Sequence, residues 1–206
     1  VINMASMFFG ANSFNGDLSN WDVSSTTNMN YMFYDAFNFN EDLSNWDVSN
    51  VTTMYGMFFG AEGFNQDLSN WDVLSVTNME RMFNNARNFN QDLSNWDVSS
   101  VTNMLSMFNG ADALSEENKC LIERSWSSNG SWPYEWMDLC PEIIYVSSAG
   151  SDVNVGSESN PFATIQAALN AAFDGGSIYV QSGTYTENIQ WPNTTGIQLF
   201  SLVGPE

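Results

Sequence analysis

Apolar residues recur along the first half of the chain at intervals of 25 residues, with polar residues at fixed places between them. The tryptophan row consists of Trp21, Trp46, Trp71 and Trp96, each inside the sequence Ser-Asn-Trp-Asp-Val. Columns of phenylalanine, leucine and methionine keep the same spacing without insertions. Constant spacing is typical of stacked repeats, because one extra residue would displace every side chain above it. The pattern therefore predicts a solenoid over residues 1–113.

Within each unit, the apolar spacing predicts a short strand followed by a short helix. The sequence Leu-x-x-Trp-x-Val at 18–23 predicts a strand whose alternate side chains point inward. The apolar positions of 29–36 then follow at i, i+3, i+4 and i+7, which is one face of about two helical turns. Thr27 and Asn28 are suitable residues for the start of that helix. A strand and a helix in a unit of this length form a leucine-rich-repeat coil, so the predicted fold class is an α/β solenoid.

The repeat also resembles a known family. Its signature is Phe-Asn-x-Asp-Leu-Ser-Asn-Trp-Asp-Val-Ser-x-Val-Thr-Asn-Met-x-x-Met-Phe, which is met almost in full at 39–58, 64–83 and 89–108. In this pattern the chain is similar to BspA-type leucine-rich-repeat surface proteins, whose repeats are also described as mycoplasma-lipoprotein-type. The resemblance implies a microbial cell-surface or secreted protein, in some cases an adhesin for host matrix proteins, and not generally a catalyst.

The repeat pattern ends before residues 114–140, which we expect to form a helical C-terminal cap. Ser115 is a suitable N-cap, and the acidic Glu116 and Glu117 suit the positive end of the helix dipole. Solenoids require such caps, because the last coil would otherwise expose its apolar face to water.

Cys120 and Cys140 are the two cysteines of the chain. We expect them to form a disulfide, and the alternative is two free, buried thiols. A disulfide would indicate an oxidising, extracytoplasmic setting, so we expect the protein to be extracellular, at the cell surface or secreted.

The sequence pattern of residues 141–206 differs from that of the repeats. It predicts a strand at 143–146, a helix with Asn160 as N-cap and Pro161 as first residue, and three strands at 177–181, 184–190 and 197–203. Three runs of this segment carry a second resemblance: Tyr-Val-Ser-x-x-Gly-Ser-Asp, then Asn-Pro-Phe-Ala-Thr-Ile-Gln-Ala-Ala-Leu, then Ile-Tyr-Val-x-x-Gly-Thr-Tyr-x-Glu-Asn-Ile. In these runs the chain is similar to the start of a pectate-lyase-like protein. This resemblance implies the N-terminal cap and first coils of a right-handed parallel β-helix.

The pectate-lyase-like resemblance raises the question of enzymatic activity. Residues 141–206 contain no Lys, Arg or His, and no pairing of a nucleophile with a base is visible along the chain. We therefore predict a non-catalytic protein with no catalytic residue in this sequence. The chain starts within a repeat, so we expect it to be part of a longer protein. If that protein is an enzyme, its active site is expected to lie beyond residue 206.

The charge balance narrows the classes of partner. Four Lys and Arg residues stand against 24 Asp and Glu, which gives a formal net charge of -20. Because nucleic-acid affinity depends on basic side chains that neutralise phosphates, we expect no nucleic-acid partner. Insertion into a membrane is not expected either, since the sequence contains no apolar run long enough to span a bilayer. Cations, neutral sugars and basic protein patches are the classes of partner that remain compatible with this charge.

Two rows of aspartates are the candidate binding residues. The first row, expected to face a ligand from the strand face, is Asp22, Asp47, Asp72 and Asp97. The second row, at the turn before each strand, is Asp17, Asp42, Asp67 and Asp92. Stacked carboxylates repel one another unless solvent, hydrogen bonds or bound cations relieve the repulsion. Calcium accepts carboxylate and amide oxygens, so the second row is a candidate calcium site, and no other cofactor is expected.

Together these features predict adhesion or structural display on a cell or matrix surface. The expected partner is a protein or a glycan, or further copies of the chain. One alternative function is a targeting module for a carbohydrate-active β-helix enzyme. Another is a subunit of an extracellular filament, because the ends of repeat arrays can stack head to tail.

Overall fold

A computed structural model describes residues 2–202, which form two compact units divided between Trp136 and Met137. Val203, the last residue of the strand predicted at 197–203, lies outside the described residues. The first unit contains the repeats and one helix, α1. The second contains one 3-10 turn, one helix and three strands. The elements in chain order are α1 at Glu116–Trp126, the 3-10 turn at Met137–Leu139, β1 at Ile143–Val146, α2 at Ile165–Ala171, β2 at Ser177–Gln181 and β3 at Gln198–Leu202.

The predicted fold class, an α/β solenoid of leucine-rich-repeat coils followed by a parallel β-helix, is wrong. Across the described residues, the two α-helices and the open three-stranded sheet all lie outside the repeats at 2–114. The repeats consist of turns, and isolated parallel bridges take the place of strands. The bridged residues, each 25 positions from the next, are Asn3, Asn28, Thr53, Asn78 and Asn103.

The helix predicted at 29–36 does not form because two of its residues have a left-handed backbone. Tyr31 has φ of 57° and Asp35 has φ of 53°, which right-handed helices of L-residues do not contain. The backbone amides also have other partners. The N–H of Phe33 donates to the carbonyl of Met57 in the next repeat at 2.8 Å, instead of to a carbonyl one helical turn earlier. The N–H groups of the alternating residues, such as Tyr34, donate to the carbonyl of the residue three positions earlier and so close tight turns.

The left-handed positions recur in every repeat. They are Ser6, Tyr31, Gly56, Arg81 and Ser106 in one column and Gly10, Asp35, Gly60, Asn85 and Gly110 in the other. Glycine, asparagine and aspartate adopt this conformation most readily, which explains the composition of the second column. Gly60 has a further requirement, because an added Cβ would collide with the carboxylate of Asp35 in the preceding repeat.

The segment predicted as a strand at 18–23 is also a turn. The N–H of Trp21 donates to the carbonyl of Leu18 at 3.0 Å, and this contact curls the chain where a strand would be extended. Leu18 and Val23 nevertheless point inward and are buried, as the apolar spacing predicted. The spacing therefore identified Leu18 and Val23 as inward residues and misidentified the backbone that carries them, and Trp21 of the same pattern is 39% exposed.

The core of the first unit is built from columns of identical side chains. Phe33, Phe58 and Phe83 are fully buried and stack with 5.5 Å between successive ring centroids. From Met29 to Met107, paired columns of methionine lie beside them without solvent exposure, whereas Met7 in the first repeat is 45% exposed. A fully buried Phe or Met side chain contributes about 1.5–3 kcal/mol relative to an exposed one, so these columns dominate the stability of the repeats.

Helix α1 begins where the sequence predicts and covers the last repeat. The Ser115 hydroxyl accepts the N–H of Asn118 at 3.2 Å, which is the expected N-cap contact. At the other end of the helix, Trp126 is fully buried and stacks on Trp96 with 6.1 Å between ring centroids. Beyond the helix, the Asn129 side-chain amide donates to carbonyls of the last repeat at 2.7 and 3.0 Å.

The second unit is a parallel sheet of order β1-β2-β3 with α2 packed against it. The predicted N-cap Asn160 is wrong: Thr164 caps α2, and its hydroxyl accepts the N–H of Ala167. The physical reason is that Phe162 pairs with Val146 in a parallel bridge, which keeps the chain before Thr164 extended.

The predicted β-helix coil does not close in the second unit. Residues 184–190 form no strand, and β3 is exposed along most of its length, with Leu199 45% exposed. Part of 184–190 instead supports α2, since the Glu187 carboxylate accepts the N–H groups of Ile165 and Gln166 at 2.8 and 2.9 Å. A carboxylate is favoured there because the first turn of a helix has amides without intrahelical partners.

Replacing Gly60 with alanine distinguishes the observed turn from the predicted helix. In a helix the change would stabilise the protein by about 1 kcal/mol, whereas at a left-handed position it costs about 1–2 kcal/mol. We expect Gly60→Ala to lower the free energy of unfolding, measured by urea titration with tryptophan fluorescence. Gly130→Ala is the matched control, because an added Cβ there has no heavy atom within 4 Å. A stabilised Gly60→Ala protein would contradict the turn structure.

Candidate functional site

The first aspartate row lies on the surface of the repeats, where each carboxylate caps its own turn. Asp22, Asp47, Asp72 and Asp97 are all exposed. In each case Oδ1 accepts the N–H of the residue two positions later, as from Ser49 to Asp47 at 3.1 Å. This contact fixes the orientation of the carboxylate and belongs to the turns that asparagine and aspartate favour. The row therefore presents aligned carboxylates from turns, and not from the strand face that the sequence predicted.

Serine hydroxyls strengthen this arrangement. The Ser49 hydroxyl donates to Asp47 Oδ1 at 2.6 Å, and together with the Ser49 N–H it lowers the pKa of Asp47. The same two donors on Ser24 lower the pKa of Asp22. A hydrogen bond to the ionised form favours ionisation, so these carboxylates remain charged into mildly acidic solution.

The second aspartate row is held in the same way. The Oδ1 atoms of Asp17, Asp42, Asp67 and Asp92 accept the N–H groups of Ser19, Ser44, Ser69 and Ser94, at 2.9 Å in the first case and 2.8 Å in the others. The hydrogen bonds from Ser19 lower the pKa of Asp17, and those from Ser44 lower the pKa of Asp42. Between residues 2 and 202, no three acidic, cysteine or histidine side chains are grouped as metal ligands. Calcium at this row stays a prediction.

The tryptophan row belongs to the core for three of its four members. Trp46, Trp71 and Trp96 are each 3% exposed, and their indole N–H groups donate to buried carbonyls of Leu18, Leu43 and Leu68 at 2.8–3.0 Å. Successive rings stack with centroids 6.5 and 6.3 Å apart. Trp21 differs and is 39% exposed, because the row begins there and one side of its ring has no neighbour in the row. The three buried indoles are therefore part of the core and present no exposed row of rings.

A polar pocket of about 580 Å³ opens beside the last member of the first row. It is lined by Asp97 and by Ser94 and Ser99 of the last repeat, together with Ser128 and Asn129 from the segment after α1. Hydroxyl, amide and carboxylate groups converge here, a combination that hydrogen-bonds to polar ligands. The sequence did not reveal this pocket, because nothing in the spacing indicates how the segment after α1 folds back.

A second, aromatic pocket was also missed. It has a volume of about 260 Å³ and is lined by Phe9, Tyr31, Tyr34, Tyr55, Gly56, Phe59 and Arg81. The signal was present in the sequence, since Phe9, Tyr34 and Phe59 are 25 residues apart and so form a column. These positions fall within the segment predicted as a helix, which obscured their common location.

The two cysteines are disulfide-bonded, as predicted, and neither is a free thiol. Among the residues that the structure describes, no helix combines the length and the apolar character needed to cross a bilayer.

Comparison with known protein families gives a match. A family model described as "Mycoplasma protein of unknown function, DUF285" matches residues 2–121, which is more than half of the chain. Searches of curated proteins and of solved structures gave no match. The family match bears out the mycoplasma part of the predicted resemblance, and it concerns neither BspA-type proteins nor residues 141–206.

The serine hydroxyls of the first row can be tested by titration. In Ser49→Ala the hydroxyl donor is lost and the N–H donor remains, so we expect the pKa of Asp47 to rise toward its ordinary value. A lowered pKa in the folded state stabilises the fold above the unfolded pKa of about 4 and ceases to do so as pH falls through the folded value. Carboxyl ¹³C NMR measures the pKa of Asp47, and urea titration at a series of pH values measures the effect on the free energy of unfolding. Asp22 is the internal control, since its donors belong to Ser24, and an unchanged Asp47 pKa would contradict the assignment.

Proposed function

We propose that this chain, which belongs to the family of Mycoplasma proteins of unknown function, DUF285, is a non-catalytic surface or secreted protein. Its proposed role is adhesion or structural display. Its ligand is a protein or a glycan on a cell or matrix surface. The predicted resemblance to BspA-type surface proteins supports adhesion as the more specific role.

The observation that carries this proposal is the row of oriented carboxylates at Asp22, Asp47, Asp72 and Asp97. They are exposed and aligned by the hydrogen bonds between repeats, and each is fixed by its own turn. A fixed row of like charges costs little ordering on binding, which favours association with a complementary basic surface. The row ends at the polar pocket beside Asp97, which adds hydrogen-bonding groups at one end.

The location outside the cytoplasm is supported by the disulfide and by the family match. Disulfides persist in oxidising compartments and are rare where thiols are kept reduced. Outside the cytoplasm the acidic surface also acts on solubility, because a net charge of -20 makes neighbouring copies of the chain repel one another.

The role of the row can be tested with beads coated with the 206-residue protein and surfaces coated with fibronectin, collagen or laminin. We expect attachment to at least one of these surfaces, and attachment about tenfold weaker when all four residues of the first row are changed to asparagine. Asparagine keeps an oxygen that accepts the turn N–H, so the fold is retained while the charges are removed.

The second row supplies a matched control for the bead assay. Changing Asp17, Asp42, Asp67 and Asp92 to asparagine removes the same number of charges and leaves the same turns, and it should change attachment far less. Equal losses in both variants would indicate a general charge effect and contradict a role for the first row. Wild-type beads that attach to none of the surfaces would contradict adhesion.

A further inference from the structure

We propose that the aromatic pocket binds one neutral pyranose ring, such as the terminal sugar of a glycan. This inference names a ligand class within the proposed role as a surface-binding protein, and it uses residues separate from both aspartate rows.

The walls of the aromatic pocket are rings held in two orientations. Phe9, Tyr34 and Phe59 stack on one another with 4.5 Å between successive centroids and planes within 4° of parallel. Tyr31 meets Tyr34 at 69° and Tyr55 at 90°. The two sets of rings form a corner with apolar sides, and hydrogen bonds between repeats fix the backbone beneath it.

Gly56 is required for this corner. It lies between Tyr31 and Arg81 in a left-handed column, with φ of 57°. A Cβ added there would approach Tyr31 Cδ1 to 3.0 Å, so the absence of a side chain lets the Tyr31 ring lie against the backbone. The Tyr31 ring therefore occupies the space beside Gly56 and forms one wall of the pocket.

The polar groups of the pocket lie beside its apolar walls. Three tyrosines bring phenol hydroxyls, and Arg81 brings a guanidinium that pairs with Glu80 at 3.6 Å. Glu80 is itself fixed by the side-chain amide of Asn103 at 2.9 Å. The hydrogen bond with Tyr55, and then burial, raise the pKa of Tyr31 to about 12, so its phenol stays neutral at physiological pH.

A pyranose matches this combination of surfaces. One face of the sugar is apolar and packs on aromatic rings, while its hydroxyls need donors and acceptors such as tyrosine and arginine. The volume of about 260 Å³ is below the usual range for drug-sized ligands, about 300–1,000 Å³, and so favours a single ring.

Positively and negatively charged ligands are both disfavoured in this pocket. The Arg81 guanidinium at the pocket opposes a quaternary ammonium group, which an aromatic cage would otherwise attract. Glu80 beside Arg81 and the net charge of -20 oppose acidic sugars and phosphates. A neutral ring satisfies both conditions.

The test is saturation-transfer NMR on the 206-residue chain with methyl glycosides of glucose, galactose, mannose and N-acetylglucosamine. We expect at least one to bind with a Kd of about 1 mM, as is usual for one small ring. Tyr34→Ala and Arg81→Gly should each weaken binding about tenfold, since each removes one wall or one polar partner. Phe37→Ala is the control, because Phe37 is an exposed aromatic residue outside the pocket.

Arg81→Gly guards against a folding artefact, because glycine already occupies the same left-handed position at Gly56. The inference is overturned if no neutral glycoside binds at about 10 mM, ten times the expected Kd, or if both variants bind like wild type. It is also overturned if methyl glucuronide, choline or N-acetyltyrosinamide binds more tightly than every neutral glycoside. The variant with the first aspartate row changed to asparagine should bind the glycoside normally, so failure here is distinguishable from failure of adhesion.

Discussion

Hydrogen bonds between backbone groups 24 to 26 residues apart, in neighbouring repeats, are the interaction on which the first unit depends. Alternate amides of each repeat donate to carbonyls of the next, and the amides between them close local turns. Side chains reinforce the same alignment: Asn40 Oδ1 accepts the N–H of Asn65, and Asn65 Oδ1 accepts that of Asn90, both at 2.8 Å. Because buried backbone groups must be paired, a shift by one residue would leave a whole row of them without partners. The fixed repeat length follows from this requirement.

Both candidate binding features are products of that alignment. A carboxylate at one place in the repeat becomes a row of carboxylates, as at Asp47 and Asp72, and an aromatic residue becomes a stack of rings, as at Tyr34 and Phe59. The pockets arise where the regularity is interrupted. Gly56 lets the Tyr31 ring lie against the backbone, and the segment after α1 folds against the last repeat around Asn129. Identical repeats therefore give an extended surface, and single departures give it local binding sites.

The sequence was sufficient to identify which residues are buried and insufficient to identify their backbone. Periodicity found the inward positions of the repeats, such as Leu43 and Met57, because burial depends on spacing and hydrophobicity. It could not distinguish helix from stacked turns, since Met54, Met57, Phe58 and Ala61 have helical spacing in either case. The left-handed residues carried the missing information, but a tyrosine or an arginine at such a position gives no sign of it in the sequence. The aspartate rows were recognised, whereas the pockets depend on contacts between distant segments.

The agreement between the two sides of every repeat has an evolutionary consequence. Each unit repeats the same hydrogen bonds to both neighbours: Phe33 and Phe58 donate to the following unit, and Thr52 and Thr77 donate to the preceding one. Deleting or duplicating 25 residues would bring together surfaces that already match, with no new loop to be accommodated. Recombination within the gene can thus change the length of the array by whole repeats, while α1 still packs against the same surface of the last repeat.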